Sequence, residues 1–400
     1  MLLRHRNEAV LLAVAAAVAL FLWLRTPDWL TAASKESPEI LNSTLGFQHI
    51  FAINLPSRTD RRDAMTLAAA LTELGITWVD GVAGKDVLDK VLPGGSSSRH
   101  GGFTAGNKGS WRAHMDVLQR IIHENVTSAL ILEDDADWDV RLKTQMQVFA
   151  QAARAFTQPL NGQPLAEQYR KHPHPEFAVH KLPQRIMLHP HLTPYGDDWD
   201  VLWLGHCGTE FPTTPAPNKP PPLRVTIPND MTVPSPKHLK PHPFALQDAF
   251  AEQYPPHTRV VHASSGTTCT QAYAVSQQGA RKLLWRFGLQ TLTTGWDLML
   301  RDWCDGLFTG AADPDTAAAA DAGVDSGQSR GPPVCVTVQP PLFSHHYGKG
   351  AASDIMAPGG GFVNSKKEMT PYVRVSVRLN MERLLEGQGG QEQWEEEEPM

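Results

Sequence analysis

Residues 133–137 read Glu-Asp-Asp-Ala-Asp and set four carboxylates within five positions, directly behind the apolar run Ala-Leu-Ile-Leu at 129–132. Such charges repel one another and gain when a cation sits among them. Oxygen ligands suit hard divalent ions, and Mn2+ or Mg2+ binds through a few carboxylates plus substrate phosphates. The chemistry this implies is electrostatic: the ion bridges two phosphates of a nucleotide diphosphate and stabilises charge on the leaving group. Asp135 and Asp137 are the first candidate ligands, Asp134 the next, and Glu133 orients its neighbours or takes part in the chemistry itself. The bland alternative is an acidic loop whose Asp caps the next helix.

Other residue types point the same way. Arg58, Arg61 and Arg62 follow an apolar run and suit a diphosphate, because a guanidinium pairs with phosphate through two parallel bonds. They also fit a solvated helix face. Asn54 and Leu55 stand at that run's end, in reach of a nucleotide. His114, between Gly109 and the acidic cluster, is a candidate site residue or a structural histidine. His345 and His346 follow the last apolar run, and His345 offers a late metal ligand. Asp297 follows Gly295-Trp296 and is the candidate base for an acceptor hydroxyl, or a helix cap beside a core tryptophan. Tyr273 and Ser276 shape a pocket or pack and cap.

The elements that position these groups alternate. Apolar runs at 49–55, 76–82, 129–132, 200–204, 271–275 and 334–338 read as buried strands. Helices fit 57–74, with capping-box character at its start and Gly75 at its end, and 110–124 and 276–285. Strands alternating with helices imply an α/β domain with an open, mainly parallel central sheet. Carboxylates at the carboxyl end of such a strand lie where α/β proteins bind ligands. The Pro/His-rich stretches 157–196 and 211–258 and the Ala/Asp/Gly-rich stretch 310–333 read as surface insertions or disordered loops. The domain then covers 47–350, followed by an extension at 351–400 with an acidic, disordered tail.

Residues 9–24 are sixteen unbroken apolar residues behind Arg4 and Arg6. They read as a short uncleaved membrane anchor in preference to a cleaved signal peptide, with residues 1–8 cytosolic and 25–46 a stem. Either reading sends the remainder into the secretory lumen. The four cysteines, Cys207, Cys269, Cys304 and Cys335, match no zinc spacing. They allow two disulfides in three pairings, or stay buried free thiols. Asn42 and Asn125 head glycosylation sequons. The net charge of −6 and the lack of a basic block argue against a nucleic-acid partner.

Taken in order, five segments resemble glycosyltransferase family 25, with its bacterial lipooligosaccharide and animal procollagen galactosyltransferases. They are IFAINLPSRTDRR at 50–62, GNKGSWRAHMDVLQRIIHENVTSALILEDDAD at 106–137, DWDVLWLGHCG at 198–208, GTTCTQAYAVSQQGARKLL at 266–284, and Asp297 with Pro340-Pro341. Ala113 departs from the usual Ser before the His. The resemblance implies a GT-A-like single nucleotide-binding domain. It implies inverting transfer of a hexose, most often galactose from UDP-galactose, to a protein- or glycan-linked hydroxyl. Site roles then fall to Glu133 and Asp297 in catalysis, and to Asn54, Leu55, Arg58, Arg61, Arg62, Gly109, His114, Asp134 and Tyr273 around the nucleotide sugar. Asp135, Asp137 and His345 fall to Mn2+ or Mg2+. The partners are a nucleotide-sugar donor, a glycan or glycoprotein acceptor, and a Golgi or ER membrane held in a single-pass type II orientation. Two other functions use the same residues: a non-catalytic lumenal binding or adhesion member of the fold, and a metal-dependent phosphohydrolase. The latter needs further His or Asp ligands, with His172, His174, His189 and His191 at hand.

Overall fold

A computed structural model describes residues 39–93, 104–160, 163–164, 176–183, 192–212, 223–239, 249–308, 333–348 and 368–394. All belong to one compact unit that begins at Glu39. The apolar run 9–24 and most of the segment read as a stem lie outside these residues. No helix among the described residues is long and apolar enough to cross a membrane.

The chain enters through β1 (His49–Asn54) and α1 (Thr59–Leu71), then β2 (Ile76–Asp80) and α2 (Ala105–His123). β3 (Ser128–Glu133) and the short β4 (Ala136–Trp138) flank the acidic turn, and α3 (Leu142–Thr157) follows. Next come β5 (Glu176–Ala178), β6 (Val201–Gly205), β7 (Arg224–Ile227), α4 (Ala249–Gln253) and β8 (Arg259–Ala263). β9 (Ala272–Ser276) leads into α5 (Gln277–Leu283), which runs on as a π-helical turn over Leu284–Gln290. α6 (Trp296–Cys304), β10 (Cys335–Gln339), β11 (Phe343–His345) and α7 (Met381–Leu385) follow, and short 3-10 turns and a pair of two-residue strands at 159–160 and 163–164 lie between the larger elements.

The sheet runs β2-β1-β3-β9-β6-β10-β8-β7-β5, with β11 bridging β6 and β4. Most of its strands run one way, as the mainly parallel sheet expected would have it, but two reversed strands make it mixed. β9 and β8 each lie antiparallel to both neighbours, while the remaining neighbours on this path pair in parallel. Alternation along a strand divides the core between the two faces. Leu130 and Leu132 of β3 join the cluster under α1 and α3, and Ala129 and Ile131 join the one under α2, α5 and α6. Because β3 is buried on both faces, it reads as a continuous apolar run.

Several sequence expectations change. α1 starts at Thr59 with Arg58 at the cap and no side-chain cap bond, so the capping-box reading of Ser57 fails. α2 begins five residues early, because the Thr104 hydroxyl accepts from Asn107 N–H and caps it ahead of two glycines. Ser276 does cap α5, accepting from Gly279 N–H at 3.0 Å. The insertion reading is corrected in part: 157–196 contributes β5 and 211–258 contributes β7 and α4. Ile40 and Leu45, inside the expected stem, pack in the core. Residues 368–394 dock on the domain instead of trailing from it, with Val373, Val375 and Val377 buried. Cys207–Cys269 and Cys304–Cys335 are disulfides, which removes the free-thiol alternative.

Candidate functional site

β1 and β3 run side by side with Ile53 opposite Glu133, so both strands end at one rim. There Asn54 donates from Nδ2 to Asp134 Oδ2 at 2.8 Å and to the Arg58 carbonyl at 3.0 Å. Arg61, one turn into α1, reaches back across the gap. Its guanidinium donates to Asp134 Oδ1 at 2.7 Å and to Asp135 Oδ2 at 2.8 Å. One arginine therefore holds two adjacent carboxylates together. Burial and the charge of Asp135 raise the Asp134 carboxyl above its usual range, against the pull of Arg61 and Asn54. Burial also pushes up on Asp135, but His345, Arg61 and Arg378 outweigh it and leave that carboxyl lowered.

These groups form one wall of a cleft of about 670 Å³, its open mouth included. The other wall is main chain from Gly81 to Gly84 and the first turns of α2, with Leu55 and His114 between. Within that wall the 81–84 loop and α2 pack closely because two glycines lack side chains. A Cβ on Gly109 would lie 2.4 Å from the Val82 carbonyl oxygen, and one on Gly84 would lie 1.5 Å from that of Ala105.

Behind Glu133 sits a polar relay. Glu133 Oε1 accepts from the Thr270 hydroxyl at 2.7 Å and lies 3.7 Å from His114 Nε2. His114 Nδ1 meets the Tyr273 hydroxyl at 2.8 Å, and the imidazole stacks on Trp296 at 5.0 Å. Tyr273 is fully buried, so it supports the cleft without lining it. Asp297 stands nearby and accepts from Cys269 N–H at 3.0 Å. Burial raises its carboxyl, and the charge of Glu133 adds to that.

The structure thus brings Asn54, Leu55, Arg61, Gly109, His114, Glu133, Asp134, Asp135, Tyr273, Asp297 and His345 to one region. It separates three residues. Arg58 pairs with Asp60 at 2.7 Å, and Arg62 lies over the Trp78 ring and reaches Asp80 at 3.4 Å; neither lines the cleft. Asp137 is corrected as a metal ligand. It is fully buried, with Oδ1 accepting from Trp138 N–H and Arg378 N–H and Oδ2 from the hydroxyls of Thr370 and Ser376. A carboxylate with four donors on two oxygens has little left for an ion.

Asp135 fits a cation better. Its Oδ1 is buried with no hydrogen-bond partner, and its Oδ2 lies 3.8 Å from His345 Nε2. Among the described residues no group of three His, Cys, Asp or Glu could hold a metal by itself. A divalent ion here takes its remaining oxygens from a ligand, as Mg2+ usually does. The histidines invoked for a phosphohydrolase lie outside the described residues.

Arg378, Thr370, Ser376 and Thr270 escape a reading by motif. The one signal for Arg378 and Ser376 is Val-Arg-Val-Ser-Val-Arg at 373–378, an alternation that marks a half-buried extended segment, and Thr370 lies ahead of it.

Residues 47–210 match a family model described as glycosyltransferase family 25 (LPS biosynthesis protein). Procollagen galactosyltransferase 1 of Danio rerio is 31% identical over 120 residues, which is 28% of this chain and 20% of that protein. Procollagen galactosyltransferase 2 of Mus musculus is 31% identical over 113 residues, 26% of this chain and 18% of that protein. A probable inactive glycosyltransferase 25 family member 3 of Bos taurus is 24% identical over 169 residues, 40% of this chain and 28% of that protein. The matched part of the chain thus spans 18–28% of these relatives' length.

Proposed function

We propose, because this chain belongs to glycosyltransferase family 25, that it moves a hexose from a nucleotide-sugar donor to a hydroxyl on a glycan or glycoprotein. Galactose from UDP-galactose is the donor group we favour, with inversion, in a GT-A-like domain facing the secretory lumen. The two disulfides suit that oxidising compartment. The apolar run 9–24 would serve as the Golgi or ER anchor.

One observation carries the reading. Asp134 and Asp135 meet Arg61 at the rim of a cleft whose far wall is glycine main chain and the N-terminal end of a 19-residue helix. Helix N-termini and guanidinium groups both favour a diphosphate. Gly81, Gly84 and Leu55 line this cleft beside the carboxylates. Asp135 and His345 would hold Mn2+ or Mg2+, which when bound supplies positive charge for the departing diphosphate. Arg61 neutralises the carboxylates until then. Asp297, its carboxyl raised by burial, and Glu133, which reaches the cleft, are the two groups able to take the acceptor hydroxyl's proton.

The test is a panel of nucleotide sugars with the purified protein and Mn2+. Turnover of one donor, reduced about 100-fold or more in Asp135→Ala, is the expected result. Donor binding without turnover in the wild type would favour a non-catalytic member instead, the state that the name of the Bos taurus relative describes. Cleavage of simple phosphoesters would favour a phosphohydrolase.

A further inference from the structure

The acidic turn is held from behind by residues 370–378 and by His346, all more than 200 residues away in sequence. Three successive carbonyls of the turn are gripped. Arg378 donates from Nη2 to the Asp134 carbonyl at 2.7 Å and from Nε to the Ala136 carbonyl at 3.0 Å. Between them, the His346 N–H donates to the Asp135 carbonyl at 2.8 Å. Residues 370–378 also supply the three donors from Thr370, Ser376 and Arg378 that occupy Asp137. Val377 N–H then meets the Trp138 carbonyl at 2.9 Å.

We propose that Arg378 is a positioning residue for the donor site, fixing the main chain of residues 134–136 so that Asp134 and Asp135 face the cleft. This rests on the donor-binding reading above. The physical case is one of geometry and charge together. A turn with four acids in five residues tends to splay, and a planar guanidinium can brace carbonyls two residues apart while its charge offsets the carboxylates. Lysine has one flexible point charge and cannot span both. Asp137 is the other half of the brace: it ties the turn to residues 370–378, and so couples the docking of the C-terminal segment to the aim of Asp135. The 47–210 match stops far short of this segment.

Arg378→Ala and Arg378→Lys test it by two routes. The first is hydrogen exchange of the ligand-free protein. Exchange across residues 133–138 should rise about tenfold in Arg378→Ala while α2 and α3 stay protected. The second is kinetics. The donor KM should rise about tenfold or more with the acceptor KM unchanged, as expected when a binding group is misplaced by a fraction of an ångström. Millimolar guanidinium should restore part of the loss in Arg378→Ala, and Arg378→Lys should restore less than half. A mere loss of folded protein would lower kcat and leave both KM values alone. Wild-type exchange in 133–138, or a rise spread evenly over the sheet, overturns the proposal. If the wild type turns over no donor, the functional reading fails, and exchange still decides whether Arg378 braces the turn.

Discussion

Asp135 and Asp137 stand two positions apart with the same side chain, and their surroundings give them opposite work. Asp135 keeps a buried oxygen without a partner, beside His345 and Arg61. Asp137 uses both oxygens on four donors and exposes nothing. Replacing Asp135 by Asn should therefore leave the melting temperature close to that of the wild type and abolish donor turnover. Replacing Asp137 by Ala should do the reverse first. It strands two hydroxyls and two N–H groups in a dry site, at a cost of roughly 3 kcal/mol or more. For a unit of this size that is a fall in Tm of roughly 4 °C or more, read by differential scanning calorimetry. An Asp137→Ala protein as stable as the wild type would return Asp137 to the list of candidate ion ligands. The sequence could not separate the two, because the donors that occupy Asp137 come from residues 370–378, and repulsion within a run of acids says nothing of which side each one faces.

At the level of elements, the strands were legible where burial on both faces forced long apolar runs. β1, β3, β6, β9 and β10 lie within one or two residues of the runs that announce them. β5 and β7 were not legible, being three and four residues long amid prolines and histidines that dilute any period. β8 was not read as a strand at all, and the reversal of β9 escaped for another reason. A run such as Gln-Ala-Tyr-Ala-Val shows that it is buried but carries no direction. The start of α2 was hidden by Gly106 and Gly109, which weaken a helix and so argue for a loop. Their presence has a cause in the cleft. α2 approaches residues 81–84 so closely that Gly109 admits no Cβ without moving the Val82 carbonyl. Gly109→Ala should push the helix end off that loop, costing about 1–3 kcal/mol and weakening nucleotide binding. Gly389→Ala, with nothing within 4 Å, is the matched control and should change neither. Isothermal titration with the donor's nucleotide diphosphate, run beside thermal melts, separates the two effects. Unchanged binding in Gly109→Ala would mean that the cleft wall is not the nucleotide's wall.

For the whole molecule, two of the interior imidazoles contribute to how the fold meets acid. His206 and His262 are both buried. Burial lowers the first to about 4 and the second to about 3. Their bonds require the neutral form. His206 Nε2 meets the Val338 carbonyl at 2.9 Å, and its Nδ1 has no partner, so a second proton would be buried unpaired. His262 Nδ1 meets the Ala263 carbonyl, and its Nε2 accepts from the Gln339 amide at 2.8 Å, so a proton there would face a donor. The unfolded chain takes up these protons near the ordinary histidine value of about 6.5, and the folded chain does not until far lower. The unfolded state thus binds more protons between those limits, and stability rises with pH there. The contribution is complete above the unfolded value and is lost as pH falls toward 4. By pH 5 each imidazole taken alone should have cost about 2 kcal/mol relative to pH 7. Urea midpoints at pH 7, 6 and 5 give the result above the range where ordinary carboxylates titrate. A midpoint that holds constant down to pH 5 would show that the folded protein does not hold these two rings neutral.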